Sequence, residues 1–178
     1  LRHTISILVE NEFGVLSRIA GLFSGRGFNI ESLCVAETLD PTISTMTIVT
    51  NGNDAILEQI LKQLNKLINV IKVTDFQDLN YVSREMVLVK VHADEKTREE
   101  LLRMTEIFRG KIIDVSMKTY TIMITGDEEK LKAFLNLIRP LGIKELVRTG
   151  PIAMIRGDKT IKASEKHSKG GEDGKNVL

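Results

Sequence analysis

The chain has 178 residues, a length that fits one domain or two small ones. Hydrophobic residues make up 42% and aromatics 4%, with no Trp, so the core must be aliphatic. A formal net charge of +1 argues against a nucleic-acid footprint, one cysteine excludes an internal disulfide or a cysteine metal cluster, and no apolar run reaches membrane-spanning length.

The first residues, Leu-Arg-His-Thr-Ile-Ser, have no signal-peptide layout. They lack an initiating Met, so a missing or processed first residue is expected. A lone cysteine fits a reducing, cytoplasmic setting. Residues 4–10 alternate through Ile5, Ile7 and Val9 and predict a half-buried strand. A short polar turn holds Asn11 and Gly14. Residues 15–24 then carry helical spacing (Val15, Leu16, Ile19, Ala20, Leu22, Phe23), stopped by Gly25 and Gly27. Residues 28–38 alternate again and end at the turn pair Asp40-Pro41. Both faces of that stretch carry apolar residues: Ile30 and Cys34 on one, Leu33 and Val35 on the other. That pattern predicts a covering partner, hence a homodimer. Residues 43–50, rich in β-branched side chains, read as the returning strand. Residues 51–54 can cap a helix over 55–67, whose apolar face is Ile56, Leu57, Ile60, Leu61, Leu64 and Ile68. A strand over 70–76 completes β-α-β-β-α-β, the split βαβ order of ferredoxin-like folds.

The second half repeats the order. Residues 77–83 form a polar connection, and the predicted domain boundary falls there. Strand 84–93, helix 94–108, strands 111–117 and 119–125, a helix through Leu131, Phe134, Leu135 and Ile138, and strand 143–148 follow. The expected class is therefore α+β, with two tandem βαββαβ domains at 1–77 and 78–158. Residues 150–157 read as an ordered extension. Residues 159–178 turn polar and read as a flexible tail.

No phosphate loop, dinucleotide fingerprint, metal-binding His pair or nucleophile elbow is present. His3 and His92 lie on predicted strands and read as structural or surface residues, and His167 as a solvated tail residue. Cys34 reads as a small buried apolar group. The adjacent acids Glu99 and Glu100, and Glu128 and Glu129, cannot share one helix face. Scattered lysines such as Lys62, Lys66, Lys130 and Lys132 read as solvated. No catalytic constellation is expected. The stretch at 10–19 is the candidate site. A strand that ends in a Gly turn and opens a helix presents free amides to a small anion. An ordinary βα loop, with Gly14 serving backbone geometry alone, accounts for the same residues.

Residues 5–19 (Ile-Ser-Ile-Leu-Val-Glu-Asn-Glu-Phe-Gly-Val-Leu-Ser-Arg-Ile) and 21–33 (Gly-Leu-Phe-Ser-Gly-Arg-Gly-Phe-Asn-Ile-Glu-Ser-Leu) resemble the amino-terminal ACT domain of the small regulatory subunit of acetohydroxyacid synthase, also called acetolactate synthase. The resemblance continues through Tyr-Val-Ser-Arg-Glu at 81–85, Phe-Arg-Gly-Lys-Ile-Ile-Asp-Val at 108–115, Arg-Thr-Gly at 148–150 and Arg-Gly at 156–157. It implies a non-catalytic subunit that activates a separate catalytic subunit carrying thiamine diphosphate, magnesium and FAD. It also implies feedback inhibition by a branched-chain amino acid, most often valine, at the interface of paired ACT domains. Asn11 and Gly14 match the effector loop, and Asn29 and Ile30 the positions contributed across the interface. The residues agree chemically. The amides of Val15 and Leu16 can serve a carboxylate, Asn11 supplies donor and acceptor, and Ile30 can pack an isopropyl group. A stand-alone amino-acid-sensing ACT regulator of another enzyme is the alternative. An RNA-binding fold of the same element order would need strand aromatics and a basic face, and strands 28–38 and 43–50 hold only Phe28.

Overall fold

The structure, a computed structural model, describes residues 2–161. The first half contains β1 (Arg2–Glu10), α1 (Val15–Ser24), β2 (Ile30–Glu37), β3 (Ile43–Asn51), α2 (Asp54–Leu64) and β4 (Val70–Asp75). The second contains β5 (Tyr81–His92), α3 (Arg98–Ile107), β6 (Lys111–Val115), β7 (Thr119–Gly126), α4 (Glu128–Ile138), a 3-10 turn at Arg139–Leu141, β8 (Ile143–Arg148) and β9 (Ile152–Ile155). The sheets run β2-β3-β1-β4 and β6-β7-β5-β8, with β9 also paired to β5. Every neighbouring pair along these two four-strand paths is antiparallel. This is the ferredoxin-like α+β arrangement, present twice.

The period-2 pattern of β1 sends Ile5, Ile7 and Val9 to one face. The register puts Ile48 opposite Ile5 and Met46 opposite Ile7. Val15, Ile19 and Phe23 of α1 and Leu57, Ile60 and Leu64 of α2 close that face into one buried cluster. Each such side chain contributes roughly 1.5–3 kcal/mol by leaving water. The second unit builds a separate cluster from Val87, Val89, Val91, Ile122 and Ile124 beneath Leu101, Leu131, Phe134 and Ile138. The Phe108 and Phe134 rings meet there at 5.3 Å. Side-chain caps start two helices: Asn53 accepts from the Ala55 amide at 2.8 Å and Asp127 from the Lys130 amide at 2.9 Å.

Several expected boundaries shift. β2 starts at Ile30 rather than at 28, because Phe28 belongs to the end of α1. Its amide donates to the Phe23 carbonyl at 3.0 Å, and its ring is buried beside that helix's core. α3 starts at Arg98 rather than at 94. Asp94 instead fixes the turn that leads into it: its carboxylate accepts from the Thr97 amide at 3.0 Å, and the Thr97 hydroxyl accepts from the Asp94 amide at 3.1 Å.

The chain divides into two compact units, Leu1–Val82 with the segment from Ala153 onward, and Ser83–Ile152. The split between 82 and 83 lies inside the polar connection at 77–83, five residues beyond the 77/78 division assigned to the domains. The polar stretch after Phe76 is not a free linker, because the Phe76 and Tyr81 rings stack at 4.8 Å. Residues after 152, expected to belong with the second domain, return to the first: the Arg156 amide donates to the Asn80 carbonyl at 2.9 Å. Lys159, Thr160 and Ile161, expected in the tail, line a cavity of about 270 Å³ with Ser6, Leu8, Thr45 and Met154. The rest of the predicted tail, including His167, lies outside the described residues.

Candidate functional site

β1 ends at Glu10, and the next three residues cross to Gly14 at the start of α1. Gly14 adopts φ +83°, a left-handed conformation that glycine enters without a Cβ penalty. A Cβ added there would meet no atom within 4 Å, so backbone geometry rather than crowding selects glycine. The first amides of α1 are poorly used by the fold. Val15 N reaches Glu12 O only at 3.4 Å, and Arg18 N makes the next bond, to Gly14 O at 3.1 Å. The amides in between face the positive end of the helix dipole, where a carboxylate is favoured.

The predicted site residues divide into two groups. Asn11, Gly14, Val15 and Leu16 sit together on this loop. Asn11 is exposed, Gly14 half-buried, Val15 buried and Leu16 exposed. Asn11 is already engaged: its Nδ2 donates to Pro41 O at 2.9 Å and its amide to Thr42 O at 2.7 Å. The loop is thereby tied to the turn between β2 and β3. Asn29 and Ile30 lie elsewhere. Ile30 pairs with Thr50, which pairs with His3, whereas the loop leaves the far end of β1, where Glu10 pairs with Ile43. His3 and Glu10 are separated along β1 by roughly 23 Å at about 3.3 Å per residue. One copy of the chain thus does not bring the two groups together. Asn29 is exposed and its carbonyl accepts from the Thr50 hydroxyl at 2.7 Å; Ile30 is half-buried against the core.

β2 is the edge strand of its sheet, with Val35, Ala36 and Glu37 exposed. Cys34, expected to be buried, is half-buried because it lies on this edge. An edge strand presents a free row of backbone donors and acceptors.

Two features escaped sequence reasoning. Phe13, at the loop tip, is fully exposed, and Leu39 is 86% exposed; Ile68, expected on the apolar face of α2, is 79% exposed because that helix ends at Leu64. Large apolar side chains displayed this way are the kind that a partner covers. Asn69, between α2 and β4, is only 7% exposed and hydrogen-bonds into the loop. A single Asn in a turn carries no sequence signal that separates it from ordinary turn chemistry.

The remaining titratable groups form no second site of the same quality. His3 is fully buried, with Nε2 at 3.3 Å from Asp54 Oδ1, and His92 Nε2 lies 3.6 Å from Asp94. In the second unit the buried Glu85 accepts from Arg148 Nε and Nη2 at 2.7 and 2.8 Å. Among the described residues no cluster of His, Cys, Asp or Glu could hold a metal ion, and no helix is long and apolar enough to cross a membrane.

Residues 5–72 match the model of the small-subunit-like ACT domain of acetohydroxyacid synthase, and residues 84–157 match that of the small subunit of acetolactate synthase. The chain is 56% identical to the probable acetolactate synthase small subunit of Methanothermobacter thermautotrophicus, over 89% of this chain and 95% of that protein. It is 50% identical to the acetolactate synthase isozyme 3 small subunit of Escherichia coli, over 91% and 100%. The crystal structure of the acetolactate synthase small subunit from Thermotoga maritima superposes with a TM-score of 0.81 at 45% identity, covering 89% of this chain and 99% of that one.

Proposed function

This chain belongs to the family of acetolactate synthase small subunits, and from that premise we propose that it activates a catalytic subunit and makes it sensitive to valine. In this reading the effector site forms between the ACT domains of two copies. The thiamine diphosphate, magnesium and FAD of the reaction reside in the catalytic subunit, and the present chain contributes no reacting group.

The observation that carries the reading is the distance between the two halves of the candidate site. Gly14 and Ile30 lie toward opposite ends of the same sheet. A two-fold antiparallel pairing of two β2 edges would reverse that sense in the partner. Asn29 and Ile30 of the partner subunit would then lie near Glu37 of this chain. Glu37 pairs with Ser44, which pairs with Val9, so that is the end from which the loop departs. The free β2 edge supports this pairing, and so do the exposed Phe13 and Leu39 nearby in the chain. Antiparallel strand addition of this kind supplies its affinity through main-chain hydrogen bonds.

The chemistry of a zwitterionic amino acid fits the combined lining. Its carboxylate would take the amides of Val15 and Leu16. Asn11 would supply the remaining polar contact, and Ile30 from across the interface would pack the branched side chain. Inhibition follows if valine favours one arrangement of the pair and the catalytic subunit discriminates between arrangements. The test is reconstitution with the purified cognate catalytic subunit, assayed for acetolactate formation with and without valine, leucine and isoleucine. Stimulation together with valine sensitivity is the expected result. Absence of both would overturn the proposal.

A further inference from the structure

Asn69 is a buried polar residue whose side-chain bonds all lead to one place. Its Oδ1 accepts from Arg18 Nη1 on α1. Its Nδ2 donates to Glu10 Oε2 at 2.8 Å and to Glu12 Oε2 at 3.0 Å. Its carbonyl accepts from the Glu10 amide at 2.9 Å. The partners fix the amide orientation, because only the oxygen can face the Arg18 cation and only the NH₂ can face two carboxylates. One side chain therefore grips the end of β1, the middle of the loop and the first turns of α1.

The charges explain why an amide is needed there. Glu10 and Glu12 direct two carboxylates at one point, and like charges at such separation repel. The NH₂ of Asn69 lies between them and bonds both, while Arg18 supplies a countercharge through the oxygen. An aliphatic side chain would leave the two carboxylates without a shared donor and Arg18 without its acceptor. The loop would then rest on the Asn11 bonds to Pro41 and Thr42 and on the Glu12 amide bond to Glu10 O, with its two carboxylates and Arg18 no longer held.

A purely structural role, tying β4 to β1, is the rival explanation. It is carried by other groups. The β1–β4 ladder runs from Ile5 opposite Asp75 to Val9 opposite Val70, and the Asn69 contribution to it is the backbone carbonyl. Removing the side chain leaves that bond in place. What the side chain adds goes to the Glu10 carboxylate at the mouth of the loop, to the loop itself and to α1.

We propose that Asn69 is a positioning residue for effector binding: it holds Glu10, Glu12 and Arg18 so that the amides at the start of α1 point where the ligand carboxylate must lie. It touches no ligand itself. The inference rests on the effector reading above, and deepens it by naming the residue that preorganises the site.

The experiment compares wild type with Asn69→Ala, Glu12→Ala and Glu12→Gln, each reconstituted with the catalytic subunit. Three quantities are read: activation without valine, the valine concentration for half-inhibition, and hydrogen exchange of the amides over residues 11–17. Asn69→Ala should raise the half-inhibition concentration by about tenfold or more, speed exchange in the loop, and keep activation within about twofold. Glu12 is exposed, so its variants test the same contact without a risk to folding. Glu12→Ala should raise half-inhibition by about threefold, and Glu12→Gln, which keeps an acceptor oxygen for Nδ2, should stay near wild type. Wild-type valine response in both Asn69→Ala and Glu12→Ala would overturn the inference. So would an Asn69→Ala protein that loses activation and valine response together while Glu12→Ala behaves as wild type. If the wild-type complex itself ignores valine, the effector reading fails, and unchanged loop exchange in Asn69→Ala would then overturn the positioning role on its own.

Discussion

Asn11 Nδ2 donates to the Pro41 carbonyl at 2.9 Å, across 30 residues of sequence. The loop that opens α1 is thus tied to the turn that joins β2 to β3. In the proposed dimer, β2 is the strand that meets the partner. Asn11, which the resemblance implies as a ligand contact, thus also links the loop to the strand of the proposed interface.

Replacing Asn11 by Ala should therefore have two separable effects. The lost bond is exposed, so stability should fall by no more than about 1 kcal/mol. Valine binding should weaken by about 1–3 kcal/mol, because the loop loses both its tie and a polar contact. Thermal melting reads the first effect and calorimetry the second. Wild-type valine affinity in the variant would count against the site.

Gly14 offers a sharper separation. Its positive φ should make Gly14→Ala less stable by about 1–2 kcal/mol. Aspartate tolerates this conformation better than most residues, and its charge favours a helix start. Gly14→Asp should therefore fold and still activate, yet fail to respond to valine. Within one chain a new Cβ meets nothing within 4 Å, so the loss would report a blocked or charge-repelled ligand. Acetolactate formation across a valine titration measures this, and unchanged inhibition would sink the assignment.

The Glu85–Arg148 pair should be asymmetric. Glu85 is 8% exposed at its side chain and Arg148 45%. The hydrogen bonds to Glu85 hold the Arg148 guanidinium above its ordinary range. Arg148→Met strands a buried carboxylate and should cost about 1–3 kcal/mol, less than a fully buried pair because the arginine is half in solvent. Glu85→Gln keeps an acceptor for the arginine and should cost less than about 1 kcal/mol. Urea unfolding of both variants decides the point; equal losses would contradict it.

Asp94 supplies a pH dependence. The Thr97 hydroxyl first, then the Thr97 and Lys96 amides and the nearby His92, hold its carboxyl below the ordinary range, while desolvation opposes them. A depressed folded value means that its contribution is fully present above the unfolded carboxylate pKa. That contribution is lost as pH falls through the lower folded pKa. The stability gap between wild type and Asp94→Ala should accordingly be constant near neutrality and shrink below roughly pH 4. Melting temperatures of the two proteins from pH 7 to pH 2 test this; a gap that persists in acid would show that the ionised carboxylate is not its source.

The legible parts of the fold were those governed by local pattern. A run of β-branched residues marked β3, and alternation marked β1, because one face of that strand meets the core. The positions of Ile19, Phe23, Ile60 and Leu64 marked α1 and α2 for the same reason. Asp94 drew the start of α3 four residues too early, since the turn leading into a helix and a first helical turn share the same acidic residues. Residues 77–83 marked where one unit gives way to the next, but nothing local reveals that the Phe76 ring meets Tyr81 across that stretch. Asn69 was silent. Its role depends on Glu10, Glu12 and Arg18, which are more than 50 residues distant in the chain.

By itself, then, the sequence determined the order of elements, the buried face of each, the doubled βαββαβ plan and the motifs of the family. Those properties follow from side-chain periodicity and turn chemistry within a few residues. Only the tertiary structure decided that β3 lies between β1 and β2 and in what register. That pairing carries Ile30 to one end of the sheet and leaves Gly14 at the other. Strand order is set by which distant faces pack best, and no local pattern states it. The separation of Gly14 from Ile30 is what makes a second copy of the chain a requirement of the proposed site.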